Sequence, residues 1–150
     1  MKCLDFPLTL VYGNLTTISD CYVFASRMMG PLQYEPVGSS PIAKNRLFTQ
    51  FHAQYPEHER ERIVKELVAG SSKLRLLFVT VAFGIGVDVN NIRRVIHIGV
   101  PHSIEEFYQE AGRCGRDGLP ASSMVYFNSY DISTSRHLSP HMEEFVTSNV

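Results

Sequence analysis

The sequence has few features that would assign it to a membrane, a metal site or a disulfide-bonded scaffold. Its residues contain no apolar run of about 18 positions, so we expect no membrane span. The N-terminal residues are too few and too mixed in character for a signal peptide. Three cysteines, Cys3, Cys21 and Cys114, are far apart and form no Cys-x-x-Cys motif, which predicts reduced intracellular thiols and no structural zinc site.

An excess of charge of either sign is also missing. The chain has 14 Lys and Arg against 15 Asp and Glu, a formal net charge of −1 at pH 7. That balance argues against nucleic-acid binding through the overall field of the protein, although it is compatible with a local basic patch. With 150 residues, of which 44% are hydrophobic and 19% charged, the chain is long enough and apolar enough for one globular domain with its own core.

Hydrophobic periodicity predicts an alternation of strands and helices. Residues 74–81 form a nearly continuous apolar run, which is typical of a central parallel strand covered on both faces. Residues 57–69 repeat apolar positions at helical spacing and end at Gly70. The other predicted elements are strands at 8–12, 46–51, 94–98 and 123–127, and helices at 18–29 and from residue 104 onward. This order predicts an α/β fold with a mostly parallel sheet flanked by helices.

A segment rich in glycine and arginine carries the strongest chemical signal. In a helix, Gln109, Arg113 and Arg116 would fall at i, i+4 and i+7 and would therefore share one face. Gly112 and Gly115 have no side chains, so a ligand could approach the backbone beside the arginines closely. A planar amide and two permanent cations presented together suit a polyphosphate. The alternative is that the arginines only offset the dipole at the C-terminus of a helix.

Signals for both ends of a helix surround this segment. Ser103 and Glu106 fit a Ser-x-x-Glu capping box, which predicts a helix that begins at Ile104. Gly118 followed by Pro120 predicts where the helix stops. Both arginines are therefore expected within the last turn and a half of one helix.

A second candidate binding segment begins where the apolar run of residues 74–81 ends. It lies at the carboxyl end of the predicted strand, where α/β sheets bind ligands. Gly84 and Gly86 permit a close approach of the backbone. Thr80 offers a hydroxyl to a phosphate, and Asp88 offers an acceptor to a ribose hydroxyl. Alternatively, the glycines only form the turn between two elements. Because parallel strands bring their carboxyl ends to one edge, this segment is expected near the paired arginines.

Together these two segments resemble motifs V and VI of superfamily 2 helicases, most closely the RecQ-like branch. The matching residues are 78–88 and 108–121, and the resemblance runs in order over residues 7–130, most densely from Phe51 onward. Gln109 favours the RecQ-like branch, because RNA helicases of the DEAD-box group usually carry His there. The resemblance implies that residues 7–130 are the second RecA-like lobe of a P-loop NTPase-type motor.

The resemblance implies roles for five residues at a nucleotide cleft. Arg113 and Arg116 match the arginine pair of the family, with Arg116 as the finger on the γ-phosphate. Gln109 matches the residue that couples the nucleotide to DNA. Gly86 and Asp88 match positions that line the cleft between two lobes. The implied cofactor is ATP with Mg²⁺.

Three further residues correspond to nucleic-acid contacts in the family. Thr80 matches a contact to the DNA backbone, His52 lies in an aromatic-His-Ala segment, and Tyr12 stands where motif IV would be. The implied partners are single-stranded or forked DNA, along which family members move 3′ to 5′, and an N-terminal RecA-like lobe. A location in the nucleus, with no membrane partner, is the corresponding expectation.

Parts of the family pattern do not occur in these 150 residues. There is no Gly-x-x-x-x-Gly-Lys-Ser/Thr and no Asp-Glu-x-His segment, so the phosphate cradle and the Mg²⁺ ligands would belong to a missing first lobe. The cysteine-rich zinc module is absent as well, and we expect no zinc. Gly-Asn follows Tyr12 in place of the usual polar pair, and Gln54 replaces a glycine. We therefore predict a lobe that is inactive by itself.

Two other functions are open from the sequence. The chain is alternatively a non-catalytic module that binds nucleic acid or a partner lobe, or else the lobe of an RNA helicase. An upstream phosphate-cradle motif would separate a motor lobe from a binding module. After residue 130 the hydrophobic pattern fades, so residues 131–150 are predicted to be a weakly structured tail or the start of a missing downstream module.

Overall fold

The domain is built on one sheet of five parallel strands in the order β2-β3-β1-β4-β5. The computed structural model describes residues 3–83, 87–133 and 138–148. The strands are β1 (Thr9–Tyr12), β2 (Phe48–Phe51), β3 (Leu76–Val79), β4 (Arg94–Ile98) and β5 (Ser122–Tyr126). The helices are α1 (Leu15–Met29), α2 (Glu57–Ala69), α3 (Ile104–Ala111), α4 (Ser129–Ser133) and α5 (Pro140–Ser148), with short 3-10 turns at Cys3–Asp5, Gly30–Gln33 and Ala43–Asn45. The predicted α/β fold with a parallel sheet is confirmed.

The central strand, β1, explains why both faces of the sheet must be covered. All four of its residues are buried. Because side chains alternate along a strand, Leu10 and Tyr12 enter one apolar cluster and Val11 enters the other, on the opposite face. The first cluster includes Ile63 from α2, and the second includes Ile18 from α1. Helices on both faces are what a parallel sheet with continuous apolar strands requires.

The ends of α1 and α2 follow from local sequence. The side-chain oxygen of Asn14 accepts a hydrogen bond from the backbone N–H of Thr17 at 2.8 Å, which caps the start of α1. Gly70 ends α2 in the left-handed conformation with φ 72°, which glycine adopts without steric cost. Helix α2 spans the residues that the sequence pattern predicted.

The C-terminal residues are more ordered than the sequence pattern predicted. Residues 140–148 form α5, whose Met142 and Val146 are buried, and residues 129–133 form α4. The backbone N–H of Ser139 donates to the carbonyl of His102 at 2.9 Å, which ties this segment to the connection before α3. The expectation of weak structure after residue 130 is thus corrected, because two apolar side chains four residues apart suffice to bury one face of a short helix. The division of the chain at residue 130 stays a prediction.

Candidate functional site at the carboxyl edge of the sheet

The predicted site residues gather where three neighbouring strands end. The register places Tyr12, the last residue of β1, between Val79 of β3 and His97 of β4. The connections that leave β3 and β4 at this edge lead to Asp88 and to helix α3. Open α/β sheets bind ligands beside the carboxyl ends of their strands, so a ligand site is expected at this edge.

Two cavities open along this edge. The larger has a volume of about 420 Å³ and lies between the end of β1 and the connection from β4 to α3. Among the described residues, its lining contains three carboxylates and no Lys or Arg. The smaller has a volume of about 270 Å³ and is lined by Val81, Phe83, Glu106, Gln109, Glu110 and Arg113. Two of the residues predicted to act on a nucleotide, Gln109 and Arg113, therefore share the wall of the smaller cavity.

Arg113 is a cation without a counter-ion in the part of the chain that the structure describes. Its side chain is half-buried, and it forms no ion pair with any described residue. Its Nε atom is buried and has no hydrogen-bond partner among the residues that the structure describes. A buried donor without a partner is uncommon and costs free energy, so it indicates a place where a ligand or water supplies the missing acceptor.

Arg116 differs from Arg113 in both exposure and pairing. Its Nη1 atom lies 3.0 Å from Oδ1 of Asp88, and its Nε atom donates to the carbonyl of Gly112 at 3.4 Å. The side chains of Arg116 and Asp88 are 36% and 73% exposed, so solvent screens this ion pair and it is easily exchanged for another partner. The two glycine-containing segments of the sequence thus meet at one ion pair.

The expectation that Gln109, Arg113 and Arg116 lie on one helix is wrong. Helix α3 ends at Ala111, and the next residues turn through hydrogen bonds between residues three apart, from Arg113 N to Glu110 O and from Cys114 N to Ala111 O, each at 3.2 Å. Gly115 then has φ 69°, a left-handed conformation that ends any helix. The capping box is present in part, since the Ser103 hydroxyl accepts from the N–H of Glu106 at 3.1 Å.

A buried acidic residue that the sequence analysis missed lies behind these side chains. Oε2 of Glu110 is 2.7 Å from Nε2 of His97, and the two residues are 7% and 3% exposed. The Nε2 atom of His97 therefore has a partner, whereas its Nδ1 atom is buried and has none among the described residues. Glu110 was detectable in principle, because it follows Phe107 by three residues and so shares the inward side of α3.

Tyr12, which the resemblance places among the nucleic-acid contacts, lies inside the domain, and its role in binding nucleic acid stays a prediction. The residue is 2% exposed, and its ring stacks on the ring of His97 with centroids 5.3 Å apart. Its hydroxyl donates to the carbonyl of Phe83 at 3.4 Å. Burial raises the pKa of Tyr12 well above its ordinary value, and the positive charge of Arg113 opposes that rise in part. The phenol is therefore neutral at physiological pH.

Thr80 and His52 follow adjacent strands and lie close together at the same edge, since Val79 of β3 pairs with Phe51 of β2. Both are partly exposed. The Thr80 hydroxyl accepts from the N–H of Ala82 at 3.4 Å. Burial, and to a smaller extent the charge of Arg60, lower the pKa of His52. The role of this pair in binding nucleic acid stays a prediction, and Gly86 lies outside the described residues.

Within residues 3–83, 87–133 and 138–148, no group of three His, Cys, Asp or Glu side chains is arranged to hold a metal ion. No helix in the described part of the chain has the length and apolar character that crossing a bilayer requires.

Comparison with known proteins identifies what this arrangement is similar to. The model of the helicase conserved C-terminal domain matches residues 13–118. The ATP-dependent DNA helicase RecQ of Bacillus subtilis is 32% identical over 114 residues, which cover 76% of this chain and 18% of that protein. The ATP-dependent DNA helicase hus2/rqh1 of Schizosaccharomyces pombe is 43% identical over 88 residues, 59% of this chain and 6% of that protein. The chain thus spans less than a fifth of the length of either relative.

Solved structures agree on the fold. The Mycobacterium smegmatis helicase Lhr, bound to single-stranded DNA and AMP-PNP, superposes with a TM-score of 0.60 over 86% of this chain and 16% of that one, at 20% identity. Dbp5 of S. cerevisiae, bound to RNA and ADP BeF3, superposes with a TM-score of 0.61 over 97% of this chain and 39% of that one, at 14% identity. At these identities the likeness shows the fold alone.

Proposed function

The chain belongs to the helicase conserved C-terminal domain family, with RecQ-type DNA helicases among its relatives, and from that premise we propose that it is the second motor lobe of a RecQ-like ATP-dependent DNA helicase. The observation that carries the proposal is the composition of one cavity wall. Gln109 and Arg113, which forms no ion pair with a described residue, line the smaller cavity. Three residues after Arg113, Arg116 is ion-paired with Asp88 of the connection after β3.

The chemistry expected of this wall is the stabilisation of negative charge. ATP, held largely by a first lobe, would present its terminal phosphate to the cavity, where a planar guanidinium can donate two parallel hydrogen bonds to phosphate oxygens. The residues fit that group, because within the described part of the chain Arg113 forms no ion pair and its Nε has no acceptor. An arginine of this kind typically contributes about 10³ to 10⁵ in rate. We propose Arg113 and Arg116 for this function, with Arg116 as the finger on the γ-phosphate.

Three other residues complete the proposed nucleotide site. Gln109 would couple the nucleotide to DNA from the exposed end of α3. Asp88 would release Arg116 and accept a hydrogen bond from a ribose hydroxyl, which is sterically possible because the Asp88 side chain is 73% exposed. Gly86 is proposed from the sequence alone. Mg²⁺ would be held by the first lobe, since the described residues of this chain offer no cluster of ligands.

The nucleic-acid side of the proposal uses the neighbouring strand ends. Thr80 follows β3 and His52 follows the neighbouring strand β2, so both side chains can contact the same stretch of single-stranded DNA. We propose single-stranded or forked DNA as the partner, with movement from 3′ to 5′, and a nuclear location for a motor of this kind. The larger cavity is a poor phosphate site, because its charged lining consists of Glu106, Glu110 and Asp131.

The second candidate function is a binding module without hydrolysis. It is favoured by one observation, namely that these 150 residues contain no Gly-x-x-x-x-Gly-Lys-Ser/Thr segment to cradle phosphates. In that case the chain would bind nucleic acid or a partner lobe, and the arginines would contact phosphate without catalysis.

The test joins this chain to the first lobe of B. subtilis RecQ and measures ATP turnover with single-stranded DNA present. We expect Arg113→Ala to lower kcat by at least about a hundredfold while the protein stays folded. Arg27→Ala, on the exposed side of α1, is the matched control and should leave turnover unchanged. Absence of DNA-stimulated ATP turnover in the folded two-lobe protein would refute the motor assignment, and equal turnover of Arg113→Ala and the control would remove Arg113 from the proposed site. Stimulation by RNA but not DNA would favour the RNA-helicase alternative.

A further inference from the structure

We propose that Arg93 is a positioning residue for Arg116, because it anchors the turn that carries Arg116 to the connection before β4. Its partner in an ion pair, Asp117, is the residue that follows Arg116. Neither Arg93 nor Asp117 is among the residues to which the resemblance assigns a role. The purpose of the anchor rests on the proposed function, whereas the anchor itself can be measured in the chain without any nucleotide.

The backbone of Arg93 is fixed at the start of two strands. Its N–H donates to the carbonyl of Leu8, just before β1, at 2.9 Å, and its carbonyl accepts the N–H of Ser122, the first residue of β5, at 2.9 Å. The next residue, Arg94, begins β4. The side chain of Arg93 therefore extends from a part of the sheet that main-chain hydrogen bonds hold on both sides, as a positioning group requires.

The guanidinium of Arg93 bridges two segments of the chain. It binds the segment after α3 through an ion pair of Nη2 with the carboxylate of Asp117 and through a hydrogen bond of 2.9 Å from Nη1 to the carbonyl of Pro120. It binds the connection after β3 through hydrogen bonds of 3.3 Å from Nε to the carbonyl of Asn91 and 3.4 Å from Nη2 to that of Asn90. A planar group with five donors can form these contacts together, whereas the compact ammonium of a lysine cannot.

The turn that carries Arg116 is held on both sides of that residue. Before it, the N–H of Gly115 donates to the carbonyl of Ile92 at 3.0 Å. After it, the carboxylate of Asp117 accepts the N–H of Leu119 at 3.1 Å in addition to its ion pair. The backbone position of Arg116 thus depends on contacts with the residues just before β4.

Two ion pairs at neighbouring positions join the same two segments, and they differ in exposure. The side chains of Arg93 and Asp117 are 20% and 24% exposed, against 36% and 73% for those of Arg116 and Asp88. The more exposed pair is screened more strongly by solvent and separates more easily. When Arg116 leaves Asp88 for a phosphate, the pair of Arg93 and Asp117 keeps its backbone in place. The guanidinium of Arg116 then loses less conformational entropy on binding.

The primary test measures amide hydrogen exchange in the complete 150-residue chain by NMR, at the N–H of Gly115. In Arg93→Gln, we expect this exchange to become at least about tenfold faster, as for the loss of a hydrogen bond between charged groups. Asp117→Asn, which removes only the charge of the partner, should act in the same direction. Arg94→Gln is the matched control and should leave the exchange unchanged, because the guanidinium of Arg94 lies over the ring of Phe6 instead.

Two results would overturn the anchor. Unchanged exchange at Gly115 in Arg93→Gln would show that the guanidinium does not hold the turn. An equal rise at the N–H of Thr9, which donates to the carbonyl of Arg75 at 2.9 Å, would show that Arg93 stabilises the whole domain and not the turn in particular. Both results are independent of ATP, so they are distinct from a failure of the motor assignment, in which the two-lobe protein shows no DNA-stimulated turnover.

The positioning itself is tested by a double variant of the two-lobe protein. Arg93→Gln should lower kcat with little change in ATP affinity, because the arginine that it positions acts on charge in the transition state. In a protein that already carries Arg116→Ala, Arg93→Gln should lower kcat no further, since its effect passes through Arg116. Arg94→Gln should keep the kcat of the unaltered protein. An equal further loss in the Arg116→Ala protein, or a normal kcat in Arg93→Gln, would overturn the assignment of Arg93 as a positioning residue.

Discussion

The Nη1 atom of Arg116 lies 3.0 Å from Oδ1 of Asp88, although the two residues are 28 positions apart in the sequence. The pair joins the connection after β3 to the segment after α3, which are the two regions that the sequence singled out for their chemistry. Because the pair is exposed, it costs little to break.

Replacement of Arg116 by Lys tests the finger assignment most sharply. In a protein that joins this lobe to a first lobe, Arg116→Lys keeps the charge but loses the planar fork, so we expect kcat to fall severely. ATP affinity should change little, because the interaction strengthens only in the transition state. Steady-state kinetics and equilibrium binding of ATP provide the two numbers. The control is Arg27→Lys on α1, which should behave as the unaltered protein does.

The competing explanation, compensation of a helix dipole, predicts a different result. The dipole effect is confined to the last turn of a helix, and α3 ends five residues before Arg116. If the dipole explanation held, Lys would serve as well as Arg. Normal turnover in Arg116→Lys would remove the finger assignment from Arg116 and leave Arg113 as the candidate.

The chain by itself should show no ATP hydrolysis. An arginine acts on charge that develops in a transition state, and this sequence has no Gly-x-x-x-x-Gly-Lys-Ser/Thr segment to bind the phosphates beforehand. Release of phosphate by the purified chain, with and without single-stranded DNA, is the measurement. Turnover that disappears in Arg116→Ala would contradict this prediction, whereas turnover that persists in that variant would indicate a contaminating ATPase.

Binding of single-stranded DNA should be weak and sensitive to salt. Only one lobe contributes contacts, and the net charge of the chain is −1, so a few local contacts to phosphate must provide the affinity. We expect Thr80→Ala to weaken binding modestly in fluorescence anisotropy. Ser71→Ala, before the amino end of β3, is the matched loss of a hydroxyl and should have no effect. Tight binding that persists at high salt would not be compatible with this electrostatic account.

Removal of the Glu110 carboxylate should destabilise the domain. In Glu110→Ala, the buried Nε2 of His97 loses its partner, which costs about 1–3 kcal/mol in the free energy of unfolding. Urea denaturation provides the measurement. The slope of the unfolding free energy against urea concentration should be the same for Glu110→Ala and the unaltered protein. Glu61→Ala on the exposed side of α2 is the control and should change stability by no more than about 0.5 kcal/mol. Equal stability of the two variants would show that the His97–Glu110 contact contributes nothing measurable.

Much of the fold was predictable from the sequence, because its signals are local. The apolar run before Thr80 and the helical repeat before Gly70 specify a central strand and helix α2 without reference to the rest of the chain. Since parallel strands share a carboxyl edge, the meeting of the segments that contain Asp88 and Arg116 also followed from the order of elements.

The remaining features depended on partners that are distant in sequence. The glycines near Arg113 were compatible with a helix or with a turn. The segment forms a turn because of its packing, in which the N–H of Gly115 donates to the carbonyl of Ile92 at 3.0 Å. Residues 8–12 were predicted to form a strand, but no local pattern indicated that Tyr12 would lie between β3 and β4 with its ring stacked on that of His97.

The sequence by itself determined the alternation of elements, the parallel sheet and the edge at which the site lies. It did so because hydrophobic periodicity and turn residues act over a few positions of the chain. Only the tertiary structure decided which arginine is paired, which is unpaired, and that His97, Glu110 and Tyr12 form one buried assembly behind them. Those contacts join strands and helices that no local pattern relates, and the low-dielectric interior makes their pairing matter energetically.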